Sequence, residues 1–342
     1  MIDLEKFPQK QVEFIQCFLT IGDDFVEFDI LVQLFQILDE EKQEFANILA
    51  QLTEKRFLFR KDTSFKLNPY IIDVLKKTFK PTAQNCDIFI YSFLNIFQPP
   101  YQNVREIYEF LFLKFISNLR GKSVNLGILF NYYARYLLYK KDYDNALKYN
   151  DLALEILTEK APYHSQLAII YNTKPLIFLE AKQYDKAIQW AFEAEKQINS
   201  MHFENQKHLL TTYKIIAEAY YAKGDYSKTR EFAMKGLNTD NKDILSLISL
   251  YQLILLSSLS LKDYQQAYQA NLKAIELYKQ LPESLQDKKM LEELEKQKKT
   301  IDNIVKLSER TGAFAKKIRL MKFLILFMAI IALLLIIYIF IR

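Results

Sequence analysis

The chain has 342 residues, half of them hydrophobic, with 22 Tyr and 26 Phe but only 6 Gly and 8 Pro. Glycine this sparse argues against turn-rich β sandwiches and phosphate-loop α/β folds, and for a mainly α chain of two folded units plus an appendage. The net charge of +5 is uneven: residues 1–100 hold 11 Lys+Arg against 15 Asp+Glu and residues 282–342 hold 12 against 7, the reverse of an N-terminal nucleic-acid binder.

Residues 1–82 read as a first domain. "QKQVEFIQCFLTI" (9–21) has apolar residues at 12, 14–15, 18–19 and 21 and predicts a helix, closed by a turn at Gly22–Asp24. A second helix runs through "EFDILVQLFQIL", and a third starts at Asp39 as N-cap and continues through "EFANILAQLTEKR". "FLFRKDTSFKLNP" alternates and turns at Asp62–Ser64, which predicts a β-hairpin, and "YIIDVLKKTF" supplies a closing helix. Three helices and a hairpin in this order resemble the winged-helix module that follows the nucleotide-binding domain in STAND-type signalling ATPases, where helical repeats often come next. No GxxxxGK followed by Ser or Thr occurs in the chain, so nucleotide hydrolysis is not implied.

In a DNA-reading winged helix the third helix enters the groove. Here its expected exposed residues are Glu40, Glu41, Glu44, Gln51 and Glu54, with Lys42, Lys55 and Arg56. Only Arg60, Lys61 and Lys66 on the wing add positive charge. The balance favours a protein contact over nucleic acid.

Residues 83–125 form an apolar connector. "CDIFIYSFLNIF" and "REIYEFLFLKFISNL" predict two helices, separated by Gln98–Tyr101, that cap the open end of the repeats. Cys17 and Cys86 sit in apolar stretches and read as buried thiols of a reducing compartment, with no zinc spacing. His164, His202 and His208 fall near inter-helix loops without a nucleophile partner. No catalytic residue, metal site or cofactor is expected, and the chain is not read as an enzyme.

Between 126 and 281 one phrase recurs four times, at spacings of 38–42 residues: "KKDYDNA", "AKQYDKA", "KGDYSKT" and "LKDYQQA". Each divides an aromatic-led amphipathic run from a second one. Tyr143, Tyr184, Tyr226 and Tyr264 head the second runs. Ala146, Ala187, Thr229 and Ala267 follow three residues later, and Ala153, Ala194, Gly236 and Ala274 seven after that. Small residues where two helices cross, with an aromatic beside them, resemble the tetratricopeptide repeat, and the resemblance implies an α-solenoid of four repeats. The eighth position of the first helix is Ala134 and Ala217 in repeats one and three, but Pro175 and Leu255 in repeats two and four. A bend near Tyr171–Pro175 is expected.

The family lines its concave face with five positions of each first helix. Carried over, these give Asn131, Arg135, Tyr139, Asn172, Glu180, Thr211, Lys214, Glu218, Tyr221 and Gln252. Asn131, Asn172, Lys214 and Gln252 share one position and are expected to line a track for the backbone or carboxylate of a peptide client. The carboxylate clamp of chaperone-binding relatives is not reproduced.

Residues 282–315 read as a charged spacer helix. Its stripe of Leu291, Leu294, Ile301 and Val305 either packs on the last repeat or forms a homodimer through 284–312. Residues 316–342 complete the chain. "FLILFMAIIALLLIIYIFI" (323–341) is uncharged, and Lys316, Lys317, Arg319 and Lys322 precede it. The N-terminus shows no signal-peptide pattern. This pattern predicts a single transmembrane helix, a tail anchor in the lipid bilayer with 1–322 in the cytoplasm; the Ile/Lys/Phe/Tyr-rich composition suits an AT-rich genome such as a bacterium's, and the membrane expected is then a bacterial inner membrane. The function expected is a membrane-tethered adaptor that binds a protein segment in the groove, in signalling or assembly. Its rival is a membrane-bound transcriptional regulator that uses the winged helix on DNA.

Overall fold

The first helix, α1 (Gln9–Ile21), buries Phe14, Ile15, Cys17, Phe18, Leu19 and Ile21, which is more than one helical face. It therefore needs partners on two sides. The computed structural model describes residues 9–201, 207–240, 243–307 and 310. These fall into two compact units, one ending at His208 and one beginning at Leu209.

In the first unit α1 leads to β1 (Val26–Glu27), α2 (Phe28–Leu34), α3 (Lys42–Glu54), β2 (Leu58–Lys61), β3 (Ser64–Leu67) and α4 (Ile72–Thr78). The antiparallel sheet has the order β1-β3-β2, with Val26 opposite Phe65 and Leu58 opposite Leu67. The expected helices and hairpin are present, with three differences. The two-residue β1 is too short to leave an alternation in the sequence. Helix α2 stops at Leu34, because Gln36 takes φ 51° and Ile37 N donates back to Val32 O at 2.9 Å. Asp39 opens a separate turn, Asp39–Glu41, and its carboxylate pairs with Lys42 at 2.7 Å instead of capping α3.

On its other side α1 meets α5 (Asp87–Ile96) and α6 (Glu106–Asn118). Asn118 Nδ2 donates to Thr20 O at 3.1 Å, Lys114 pairs with Asp23 and Asp24, and Ser92 Oγ donates to Leu34 O at 2.7 Å. Rings join these elements in series. Phe14 lies 4.7 Å from Phe35, Phe35 4.7 Å from Phe89, Phe93 5.4 Å from Phe112, and Phe112 4.4 Å from Tyr133. Each buried ring contributes roughly 1.5–3 kcal/mol by burial, and paired rings about 0.5–1.5 kcal/mol more. The buried core runs without a break from Phe14 to Ile177, so residues up to 82, the connector and two repeats share it.

Eight helices follow in pairs. The first unit holds α7 (Val124–Tyr139) with α8 (Tyr143–Lys160), and α9 (Gln166–Glu180) with α10 (Tyr184–Asn199). The second holds α11 (Leu209–Ala222) with α12 (Tyr226–Leu237), and α13 (Ile244–Ser260) with α14 (Tyr264–Lys279). Each repeat tyrosine is the first residue of its second helix. Ala146, Ala187, Thr229, Ala267, Ala153, Ala194, Gly236 and Ala274 are all buried. The need for small residues is direct at Gly236, where an added Cβ would sit 2.7 Å from a methyl of Leu250 on α13.

The recurring turns share one geometry. Lys141, Lys182, Gly224 and Lys262 take φ of 63°, 59°, 80° and 61°. The next amide reaches back to the first helix in every case: Asp142 N to Leu137 O, Gln183 N to Phe178 O, Asp225 N to Tyr220 O and Asp263 N to Ser258 O. Asp142, Asp225 and Asp263 then cap the second helix through their side chains, whereas Gln183 does not. Pro175 lies inside α9, as the repeat register requires, and α9 runs without interruption from Gln166 to Glu180.

A further helix, α15, spans 288–307 in the second unit. Its stripe is used within the chain: Leu291 and Leu294 pack with Ile248, Ile275 and Tyr278, and the Tyr278 hydroxyl donates to Asp287 O at 3.0 Å. This packing takes up Leu291 and Leu294, two of the four stripe residues on which the dimer reading of 284–312 rested. The single-pass membrane architecture is also corrected. Among the described residues no helix is long and apolar enough to cross a membrane. The most apolar repeat helix, α13, has 17 residues, includes five serines and is packed within its unit. The stretch 323–341 and the flank Lys316, Lys317, Arg319 and Lys322 lie outside the described residues. The cytoplasm-facing inner-membrane localisation does not stand.

Candidate functional site: the first-helix faces of the repeats

The sequence-derived groove residues separate into two groups. Asn131 is 1% exposed, and its Oδ1 accepts from Asn150 Nδ2 at 3.3 Å. Asn150 Nδ2 also donates to Ile170 O at 3.1 Å, so the two amides tie α7 and α8 to α9. Asn172 is 5% exposed and donates to His208 O at 3.0 Å. These two amides hold helices together inside the unit and do not line an open track. Their polarity was legible in the sequence, but their partners on neighbouring helices were not.

Arg135 and Tyr139 belong to the second group. Tyr139 is 53% exposed, its ring 5.5 Å from Tyr101, and Arg135 is half-buried with its charge acting on the Tyr101 hydroxyl. Burial pushes the Tyr101 hydroxyl up in pKa and Arg135 opposes it. Tyr101 comes from the short turn Tyr101–Asn103 after α5, which gave no signal of a site in the sequence. Behind this patch Glu109 on α6 accepts from Tyr133 at 3.1 Å, from Tyr136 at 3.2 Å and from Lys140 Nζ at 2.7 Å. Burial, then the Glu109 charge, holds the Tyr133 hydroxyl far above the usual phenol range. The cluster fixes the end of α7 against α6.

Glu180, at the end of α9, is exposed. In the second unit Thr211, Lys214, Glu218, Tyr221 and Gln252 are all half-buried. Lys214 and Glu218 approach to 3.9 Å one turn apart, and the Tyr221 ring lies 5.7 Å from Tyr226. Of the four residues that share one repeat position, Lys214 and Gln252 reach the surface, while Asn131 and Asn172 do not.

On the N-terminal module, Glu40, Glu41, Glu44, Gln51 and Glu54 are exposed as expected, with Lys55 and Arg56 at the end of α3. Two of the three wing cations, Arg60 and Lys66, have local partners. Arg60 Nε donates to Asp62 O at 2.8 Å, and Lys66 stands 5.6 Å over the Phe25 ring. Among the described residues no group of His, Cys, Asp and Glu is placed to hold a metal ion.

No protein-family model matches the sequence, and no curated protein matches it. Among solved structures the chain is similar to BtubC (BKLC) from P. vanneervenii, at 15% identity and TM-score 0.44, over 61% of this chain and 83% of that one. It is similar to PilF of Pseudomonas aeruginosa at 14% identity and TM-score 0.40, over 70% and 93%. A signal transduction ATPase with numerous domains, with a tetratricopeptide repeat sensor, from Pyrococcus horikoshii gives 11% identity and TM-score 0.36, over 80% and 51%. The tetratricopeptide-like character of this chain lies in its own helix pairs and their buried small residues.

Proposed function

We propose that the protein is a non-catalytic interaction adaptor whose first-helix faces receive a segment of a partner protein. The observation that carries this reading is the surface patch of Tyr101, Arg135 and Tyr139 beside the first repeat. Tyrosine and arginine are the side chains that most often anchor protein interfaces, because they combine large contact area with directional hydrogen bonds. Lys214, Glu218 and Tyr221 give the second unit a face of related chemistry. The helix–strand–helix–helix–hairpin order of the N-terminal module supports its winged-helix reading. Carboxylates along the outer side of α3 favour a protein over DNA as its partner.

Site-specific photo-crosslinking in cells tests the proposal. A crosslinking amino acid at Tyr139 or Tyr221 is expected to trap a discrete partner band, and one at Gln189 on the second helix of repeat two is not. Equal trapping from all three positions, or trapping from Gln189 alone, contradicts the assignment of the face.

A further inference from the structure

The sequence has two cysteines, Cys17 and Cys86, and the fold brings them together in the core of the first unit. Cys17 stands on α1, where its Sγ lies 3.7 Å from the carbonyl oxygen of Asn85. Cys86 is the next residue, and the two thiols are hydrogen-bonded to each other. A disulfide asks for more than contact, since the sulfurs must close to ~2.05 Å with the Cβ atoms about 3.5–4.5 Å apart. One side of this pair is free to adjust. Cys17 is fixed in mid-helix, but Cys86 lies in a turn over 83–86, just before α5, with φ −115° and ψ 25°. A small shift of that turn brings the sulfurs together without disturbing a helix.

We propose that Cys17 and Cys86 are a site of reversible oxidation, at which a peroxide closes a disulfide between α1 and the start of α5. One thiolate attacks the peroxide, breaks its O–O bond and becomes a sulfenic acid, releasing hydroxide. The second thiol then displaces water from that sulfur and forms the S–S bond. In sum, two thiols and one hydrogen peroxide give one disulfide and two waters. The bond encloses α2, α3, the hairpin and α4 in one covalent loop. It ties the N-terminal module to the connector through which the core continues into the repeats. A tie across so long a loop removes much of the freedom of the unfolded chain. The hydrogen bond to Cys86, then burial, keeps the Cys17 thiol protonated. Thiolate is the attacking form, so oxidation is slow and answers sustained exposure to peroxide. The site is separate from the first-helix faces and stands whether or not those bind a client.

Peptide mapping of the full-length protein tests it. The reduced protein is held in hydrogen peroxide under native conditions, then unfolded in the presence of an alkylating reagent and digested without reduction. A peptide joining Cys17 to Cys86, two hydrogens lighter than its parts, is expected from monomeric protein and should vanish after dithiothreitol. The oxidised protein is expected to melt roughly 5–10 °C above the reduced one, with slower amide exchange in Gln9–Ile21. Cys17→Ala and Cys86→Ala should each abolish the joined peptide and the shift in melting temperature. Should either variant fail to fold, the mapping and melting of the wild type decide. Disulfides formed only between copies of the chain would overturn the proposal. So would sulfinic acids on the two residues without a joined peptide, or two thiols still open to alkylation after a treatment that oxidises the unfolded chain. A joined peptide with an unchanged or lowered melting temperature would equally contradict a bond that the fold accommodates.

Discussion

Lys141, Lys182 and Lys262 hold left-handed backbone at the turn where repeat three has Gly224. A side chain in that region costs about 1 kcal/mol relative to glycine. Repeat two carries a second local weakness, since Gln183 replaces the capping aspartate of the other three turns. Lys182→Gly is expected to raise stability by ~0.5–1 kcal/mol, and Gln183→Asp by ~1 kcal/mol. Thermal unfolding of each variant checks both, and a lowered melting temperature for either contradicts this account of the turn.

Cys17 and Cys86 are far apart in sequence and both buried. A hydrogen bond to Cys86, then burial, holds the Cys17 thiol well above the usual thiol range, and the Cys17 Sγ also reaches Asn85 O at 3.7 Å. A thiol with its pKa raised by folding contributes stability below the unfolded pKa, about 8.5, and loses it as pH rises toward the folded value. The melting temperature is therefore expected to fall from about pH 8.5 upward. The first part of that fall should be shallower in Cys17→Ala than in the wild type. The buried phenols, Tyr133 above all, extend the loss at higher pH.

At the scale of elements, the helix pairs were legible because a small residue is required wherever two helices cross. Ala187 is fully buried on α10 and Ala222 is exposed at the end of α11. Ala187→Leu is expected to destabilise by ~1–3 kcal/mol or more, and Ala222→Leu by less than ~0.5 kcal/mol. Equal melting temperatures for the two variants would count against the repeat register. Other features depended on contacts made at a distance. Strand β1 exists because it pairs with β3, and its two residues carry no period of their own. Asn131 and Asn172 look like surface residues until Ile170, Asn150 and His208 arrive to bond them. The patch at Arg135 and Tyr139 was half legible: both residues followed from repeat position, but Tyr101 is brought in by a turn more than thirty residues earlier.

At the scale of the molecule, the aromatic excess of the sequence becomes a chain of rings that joins α1, α2, α5, α6 and α7 into one core. Composition announced the rings without saying which elements they would connect. Phe89 sits between Phe35, Phe93 and Phe115. Phe89→Ala is expected to cost ~3–5 kcal/mol. It should reduce amide-exchange protection in both Gln9–Ile21 and Val124–Tyr139, since the two helices share that core. Protection lost from α5 alone would show that the core is divided.

The adaptor reading is tested most directly by separating binding from folding. Arg135→Ala, Tyr139→Ala and Lys214→Ala together remove first-helix groups that reach the surface while leaving the buried crossing residues in place. Binding of the partner trapped by crosslinking is measured for the wild type and for this triple variant, with thermal unfolding of both. The account predicts a loss of affinity of tenfold or more with the melting temperature within a few degrees of wild type. Undiminished affinity in a protein that unfolds at the same temperature would contradict it.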